Sequence, residues 1–164
     1  MGVRFLMAML VLGGVWAEAA GPAEDVVKGE VDRVMTAWHH AAAVADGATY
    51  FGTLAPGAIF IGTDAKERWT KEELETWAAP YFKRDSAWVF LATQRDVYVS
   101  PDGGTAWFDE LLDSKSYWPT RGSGVLSLID GKWLLRQYVM SFTIPNDSVK
   151  EIKPIVLKAF EPAK

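Results

Sequence analysis

The sequence feature that most constrains the fold is the dipeptide Asp130-Gly131, which lies within the largely apolar segment Arg121 to Phe142. An Asp-Gly pair between two runs rich in apolar and β-branched residues is the strongest short-range signal for a β-hairpin with a two-residue turn. Such a turn places Ile129 opposite Lys132, and every other pair of the two strands follows from this register. The sequence therefore predicts a long antiparallel hairpin.

Two glycines in the first strand of this hairpin predict a hollow above the sheet. In a regular register Gly124 lies opposite Gln137, and Gly122 lies on the same face. Missing side chains leave space or let the strand bend, so we expect a pocket with Gly122, Gly124 and Gln137 in its floor. The alternative is that a helix covers this face of the strand.

The other face of the predicted hairpin indicates an interface between two copies of the chain. In the same register it carries four large apolar residues: Val125, Leu134, Tyr138 and Met140. A solvated surface seldom exposes this much apolar area, so we predict a homodimer through the outer face of the sheet.

The composition indicates one globular domain and excludes some classes of partner. The chain has 164 residues, 49% of them hydrophobic, which is enough for one domain with a substantial core. Its 17 Lys and Arg against 21 Asp and Glu give a net charge of −4, and without a basic stripe this argues against a nucleic-acid partner. The absence of cysteine excludes disulfides, thiol chemistry and a lipoprotein anchor.

Residues 1–19 have the features of a signal peptide. Arg4 supplies a positive charge, Phe5 to Val15 forms a short apolar run, and Ala17-Glu18-Ala19 offers a small-x-small cleavage pattern. The apolar run is shorter than the roughly 20 residues that a transmembrane helix needs. We therefore predict export to an extracytoplasmic compartment, periplasmic or secreted, with no membrane attachment after the signal is removed.

The rest of the pattern predicts helices first and strands later. Apolar residues at helical spacing indicate a helix from Val27 to Ala45, and Thr70 with Glu73 has the spacing of a capping box that begins another helix. The other predicted elements are a short helix at Ala48–Leu54, strands at Ala58–Ile61, Trp88–Val99 and Thr105–Leu112, and a weak last helix after Asn146-Asp147 that is interrupted at Pro154. This order indicates an α+β domain of residues 20–164, with a core at about 25–147.

Five segments together resemble the SnoaL-like branch of the NTF2-like superfamily. They are WHHAAAVAD, FIGTDAKERW, TAWFDELLD, RGSGVL and GKWLLRQYVMSFTIPND, and they cover most of the chain that follows the signal segment. The resemblance implies N-terminal helices packed on a strongly curved, mostly antiparallel sheet, which form a cone with an interior cavity, and commonly a dimer through the outer sheet face. The superfamily includes isomerases, cyclases, dehydratases and transport adaptors, so the resemblance does not imply one reaction.

Asp109 and Glu110 are the first candidates for chemistry. They are neighbours on a predicted strand, so their side chains point to opposite faces and only one can enter the cavity. A carboxylate in an apolar cavity has a raised pKa and suits a general base near neutrality. The alternative is a structural ion pair with Arg121 or Arg136.

His39 is the other candidate proton carrier, with Tyr138 as an alternative partner of the carboxylate. A helix histidine beside Trp38 is equally consistent with a hydrogen-bonded structural role. His39 and His40 are adjacent and face apart, and no carboxylate of this helix completes a ligand set. We therefore predict no metal site and no cofactor.

The predicted function is the binding of a small, largely apolar molecule in the cone. The residues expected to line the pocket are Tyr50, Phe51, Trp69, Trp107, Arg121, Gly124, Gln137 and Tyr138. One alternative is an enzyme of the isomerase or lyase type that uses a cavity carboxylate as general base. The other is a structural dimerisation module whose cavity is filled by its own side chains.

Overall fold

The long N-terminal helix carries the apolar stripe that the sequence predicts. The computed structural model describes residues 24–117 and 119–160, and the predicted signal peptide lies outside these described residues. Helix α1 (Glu24–Ala43) buries one side, formed by Val27, Val31, Met35, Trp38 and Ala42. It ends two residues before Ala45, whose positive φ of 54° reverses the chain, while the Asp46 N–H donates to the Ala41 carbonyl at 2.8 Å.

Two shorter helices follow, and each begins at a side-chain cap. Helix α2 (Gly47–Gly52) starts where the Asp46 carboxylate accepts a hydrogen bond from the Thr49 N–H. Helix α3 (Lys71–Ala78) starts at Thr70, and both hydrogen bonds of the predicted capping box with Glu73 are present. The capping-box prediction is therefore confirmed.

In the described residues, six strands form one mixed sheet. They are β1 (Leu54–Ile61), β2 (Arg68–Thr70), β3 (Leu91–Val99), β4 (Thr105–Asp113), β5 (Thr120–Ile129) and β6 (Lys132–Phe142), arranged in the order β2-β1-β6-β5-β4-β3. All neighbours are antiparallel except β1 and β6, which pair in parallel. Helices followed by a curved, mostly antiparallel sheet confirm the predicted α+β class.

The hairpin between β5 and β6 has the predicted turn but not the predicted register throughout. Asp130 and Gly131 have φ values of 49° and 75°, as a two-residue turn requires, and Ile129 pairs with Lys132. The register then shifts, because Leu126 pairs with Leu135 but Val125 pairs with Gln137. This β-bulge places one extra residue in β6, so that every later side chain points to the opposite face.

The bulge makes the predicted pairs beyond it wrong. Gly124 pairs with Tyr138 rather than Gln137, and Gly122 pairs with Met140 rather than Val139. Tyr138 and Met140 are buried on the inner face, whereas Gln137 is exposed.

The last helix lies apart from the core. A 3-10 turn (Asn146–Ser148) leads into α4 (Val149–Ala159), which continues through Pro154 instead of being interrupted there. No residue of α4, all of which the structure describes, is buried, although several are apolar. No helix of the described residues is long and apolar enough to cross a membrane.

Candidate functional site

Glu110, and not Asp109, enters the interior of the cone. Strand β4 alternates strictly between buried and exposed residues, which puts Glu110 inside with 1% of its surface exposed and Asp109 on the outer face. Asp109 therefore cannot serve as a cavity base.

Three side chains surround the Glu110 carboxylate and form a buried cluster with it. His39 Nε2 lies 2.8 Å from Glu110 Oε1, and the Tyr138 hydroxyl donates to the same oxygen at 2.9 Å. The Arg95 Nε donates to Oε2 at 2.8 Å. Glu110, His39, Tyr138 and Arg95 thus bring α1, β3, β4 and β6 together at one point. The predicted pairing with Arg121 or Arg136 is wrong, because both of these arginines are exposed.

Arg95 extends the buried cluster to the surface of α1. Its Nη1 donates to the carboxylate of Asp32 at 2.6 Å, to the Asp32 carbonyl at 3.0 Å and to the Thr36 hydroxyl at 3.0 Å. The Arg95 side chain is only 3% exposed, whereas that of Asp32 is 55% exposed. A guanidinium held on both sides by carboxylates locks the helix against the sheet.

The electrostatics of the buried cluster suit a fixed charge better than a proton carrier. Burial by itself raises the pKa of Glu110, but the hydrogen bond and charge of His39, together with Arg95, outweigh burial and hold the pKa below its ordinary value. Burial, reinforced by the Glu110 charge, raises the pKa of Tyr138 well above its ordinary value. A general base that works near neutrality needs a raised carboxylate pKa, which is the opposite of what this site produces.

The hollow predicted above the glycines is filled by the protein itself. A Cβ on Gly122 would lie 2.8 Å from Glu110 Oε1 and would also meet the Tyr138 hydroxyl. A Cβ on Gly124 would lie 2.7 Å from the Gln137 carbonyl and 2.8 Å from the Phe108 ring. The two glycines therefore let aromatic rings approach the strand closely, and neither one lines an empty pocket.

An open cleft lined mainly by aromatic residues lies elsewhere in the described part of the chain. This aromatic cleft has a volume of about 240 Å³ and is bounded by α3, the turn after it, the β1–β2 loop and residues 114–117. Of the described residues, seven aromatic ones line it: Phe60, Trp69, Trp77, Tyr81, Trp88, Phe90 and Tyr117. Two charged side chains, Glu67 and Arg84, also border it.

Neighbouring rings of the aromatic cleft touch one another and form a continuous wall. Trp69 and Trp77 are stacked, with ring centroids 4.7 Å apart, and Tyr81 lies 5.0 Å from Trp77. Trp88 closes this group at 6.1 Å from Tyr81. Distances of this size are typical of favourable aromatic pairs.

The aromatic cleft and the buried cluster are separate sites. Among the described residues that line the cleft, none belongs to the cluster. The ring of Phe60 lies in the floor of the cleft and stacks on Tyr138 at 5.5 Å, so it stands between the two sites. Within residues 24–117 and 119–160, no group of three His, Asp or Glu side chains is arranged to hold a metal ion.

The match to a family model decides the relationship. Residues 31–145 match the model of the SnoaL-like domain. The chain belongs to the SnoaL-like family. A search of the curated proteins found no match.

Solved structures support the same fold for this SnoaL-like chain. An NTF2-like protein of unknown function from Pseudomonas putida KT2440 superposes with a TM-score of 0.63 at 13% identity, covering 76% of this chain and 92% of the other. A Streptomyces avermitilis protein of the NTF2-like family, provisionally named a dehydratase, gives 0.62 at 16%, with coverages of 74% and 99%. The association domain of CaMKII from C. elegans gives 0.58 at 13%, with coverages of 73% and 98%. At these identities the likeness shows the fold alone.

Of the residues predicted to line the pocket of this SnoaL-like protein, only Trp69 borders the aromatic cleft. Trp107, Arg121 and Gln137 are exposed on the outer face of the sheet. Gly124 lies against Phe108, as described above, and Tyr138 belongs to the buried cluster.

The two remaining candidates lie beneath the aromatic cleft. Tyr50 is buried in the core, where it stacks on Trp38 with ring centroids 4.7 Å apart. Phe51 packs beside it against Phe82. Both rings support the wall from behind but do not border the opening.

The sequence reasoning missed most of the wall. Trp77 and Tyr81 are not among the predicted pocket residues, yet α3 ends at Ala78 and Trp77 remains 41% exposed. Trp88 was assigned to a strand that in fact begins at Leu91. The density of aromatic residues between positions 69 and 90 was the available signal.

Proposed function

We propose that this SnoaL-like protein binds a small, largely apolar, aromatic molecule in the aromatic cleft. The observation that carries the proposal is a continuous wall of aromatic rings facing an open cavity, rather than one packed shut by the protein's own side chains. Binding pockets are typically concave, mostly apolar and provided with few polar groups, as this one is.

The size of the cleft restricts the ligand. A volume of about 240 Å³ lies below the range of about 300–1,000 Å³ that is usual for drug-sized ligands. It exceeds the roughly 150 Å³ of an engineered apolar cavity that holds benzene. A molecule of one or two fused rings therefore fits.

The chemistry of the buried cluster favours binding over the isomerase or lyase alternative. Glu110 is an anion that already accepts hydrogen bonds from Tyr138 and Arg95, and the Phe60 ring lies between it and the cleft. A base must come within hydrogen-bond reach of the proton that it removes. Glu110 therefore does not come within reach of a molecule in the aromatic cleft, because the Phe60 ring stands between them.

Two tryptophans of similar exposure provide a matched test. Trp77 in the cleft is 41% exposed and Trp107 on the outer sheet face is 44% exposed. With 2-naphthalenemethanol as the probe and isothermal titration calorimetry as the measurement, we expect Trp77→Ala to weaken binding about tenfold, which corresponds to about 1.4 kcal/mol of stacking and burial. Trp107→Ala should leave the affinity unchanged. Equal losses in both variants, or no binding to the parent protein, would refute the proposal.

A second proposal, homodimerisation through the outer sheet face, has its own support. Tyr98 and Trp107 are each 44% exposed and stack on one another at 5.9 Å, and Leu111 lies on the same face of β4. These residues replace Tyr138 and Met140, which the sequence reasoning had placed here. Light scattering of the parent protein should give twice the mass of one chain. Trp107→Asp should reduce this mass to that of a monomer, whereas Trp77→Asp should leave it unchanged. A monomeric parent protein would exclude this interface.

We also propose that residues 1–19 direct export, because they combine a basic start, an apolar run and a small-x-small site. Mass spectrometry of the exported protein should find an N-terminus near Ala20. An exported chain that retains Met1 would contradict the cleavage.

A further inference from the structure

Among the residues that the structure describes, Arg84 is the cationic side chain that borders the aromatic cleft. Its guanidinium lies 4.7 Å from the centroid of the Tyr81 ring. The backbone N–H of Arg84 donates to the Tyr81 carbonyl at 3.2 Å, so the turn after α3 fixes both residues together. The charge therefore sits at the edge of a surface on which a planar ring can stack.

Within the described part of the chain the positive charge of Arg84 has no acidic partner, whereas the Glu67 carboxylate at the cleft already accepts a hydrogen bond. Among the described residues, no carboxylate forms an ion pair with Arg84. Glu67 Oε2 accepts a hydrogen bond from the Asp64 N–H at 3.1 Å, and its carboxylate packs over Gly62. The charge left to meet a ligand is therefore the guanidinium.

The arrangement of the rings is also not that of an aromatic cage. Sites that recognise quaternary ammonium ligands typically surround the cation with several ring faces. Here Trp69, Trp77 and Tyr81 lie against one another at 4.7 and 5.0 Å, which leaves no space between them. They offer one stacking surface instead of an enclosure.

We infer that the ligand of the aromatic cleft is an aromatic carboxylate of one or two rings. Its ring stacks on the tryptophan wall, and its carboxylate accepts hydrogen bonds from Arg84. This inference rests on the proposed function, since it names the chemical class of the molecule bound there. The planar guanidinium presents paired N–H donors that match the geometry of a carboxylate.

Three probes that share one ring system isolate the contribution of charge. They are 2-naphthoate, neutral 2-naphthalenemethanol and the cationic 2-naphthylmethylammonium, titrated by calorimetry at neutral pH. We expect the carboxylate to bind about tenfold tighter than the alcohol, the magnitude expected of one hydrogen bond to a charged group. The ammonium should bind most weakly.

Substitution of Arg84 should remove only the preference for the anion. In Arg84→Gln the affinity for 2-naphthoate should fall to that for the alcohol, while the affinity for the alcohol stays unchanged. Lys83→Gln, which removes an exposed neighbouring charge, should leave the preference intact. This control separates a direct contact from a general effect of net charge.

Each outcome decides between the inference and the proposed function. Equal affinities for the three probes would overturn the inference and leave the proposed function standing. Tightest binding of the ammonium would also overturn the inference and would indicate that Glu67 meets the ligand. No binding of any probe would overturn both.

Discussion

Replacing Glu110 with glutamine tests whether the buried cluster holds the cone together. The Glu110 side chain is fully buried, the Arg95 side chain is 3% exposed, and their charged atoms lie 2.8 Å apart. Removing one partner of a buried ion pair usually costs about 3–5 kcal/mol, because the other charge is left uncompensated. Glutamine keeps the size of the side chain, and Asp32 still neutralises part of the Arg95 charge. We therefore expect a loss at the lower end, about 3 kcal/mol.

Urea unfolding followed by tryptophan fluorescence measures this loss. With an m-value of about 1.5 kcal/mol/M, a loss of about 3 kcal/mol lowers the urea midpoint by about 2 M. Asp109→Asn is the matched control, because it removes the neighbouring carboxylate from the exposed face of the same strand. This control should change stability by no more than about 0.5 kcal/mol.

A double substitution separates the worth of the ion pair from the cost of breaking it. Replacing Glu110 with leucine and Arg95 with methionine removes both buried charges together, and such replacements often leave the free energy of unfolding almost unchanged. We expect the double variant to be more stable than Glu110→Gln alone. If Glu110→Gln and Asp109→Asn unfold at the same urea concentration, the buried cluster does not fasten α1 to the sheet and the reasoning fails.

Three further predictions follow from the same structure. The pKa of Glu110 is lower in the folded protein, so its contribution to stability is complete above about pH 4.3 and disappears as the pH falls through the folded pKa. The difference in stability between the parent protein and Glu110→Gln should therefore shrink in urea titrations at acid pH. Gly124→Leu should cost about 1–3 kcal/mol, because the site is already packed against Phe108, and an unchanged melting temperature would restore the predicted hollow. Thr70→Ala should lower the free energy of unfolding by about 1 kcal/mol through loss of the α3 cap. Thr76→Ala, on the exposed side of α3, is the control variant, and thermal melts compare the two. Equal melting temperatures for the two threonine variants would contradict the role of the cap.

The features predicted correctly from the sequence depend on residues close together in the chain. The Asp130-Gly131 turn needs two residues with positive φ, and the α3 cap needs Thr70 and Glu73 three positions apart. The apolar stripe of α1 follows from helical periodicity alone. Each of these signals is complete within one short segment, so tertiary packing had little scope to change it.

The site is less predictable because its parts come from distant segments. His39 and Glu110 are 71 positions apart, and Arg95 and Asp32 are 63 apart. The sequence identified Glu110 and His39 as polar residues of interest but provided no register between the helix and the sheet. It therefore could not indicate Arg95 as the partner. The aromatic cleft likewise joins the β1–β2 loop, α3 and residues 114–117, none of which has a pattern that announces the others.

The error with the widest consequences was the assumption of a regular hairpin, and the sequence did contain a warning. In the middle of β6 the alternation of buried and exposed residues fails at Arg136 and Gln137, which are polar, adjacent and both exposed. Two outward residues in succession are what a β-bulge produces, because the extra residue exchanges the faces of everything after it. The exchange turns Tyr138 inward, where its hydroxyl reaches Glu110 across the space left by Gly122. A strand without the bulge would direct Tyr138 outward and bury Gln137, so the bulge supplies the buried carboxylate with one of its donors.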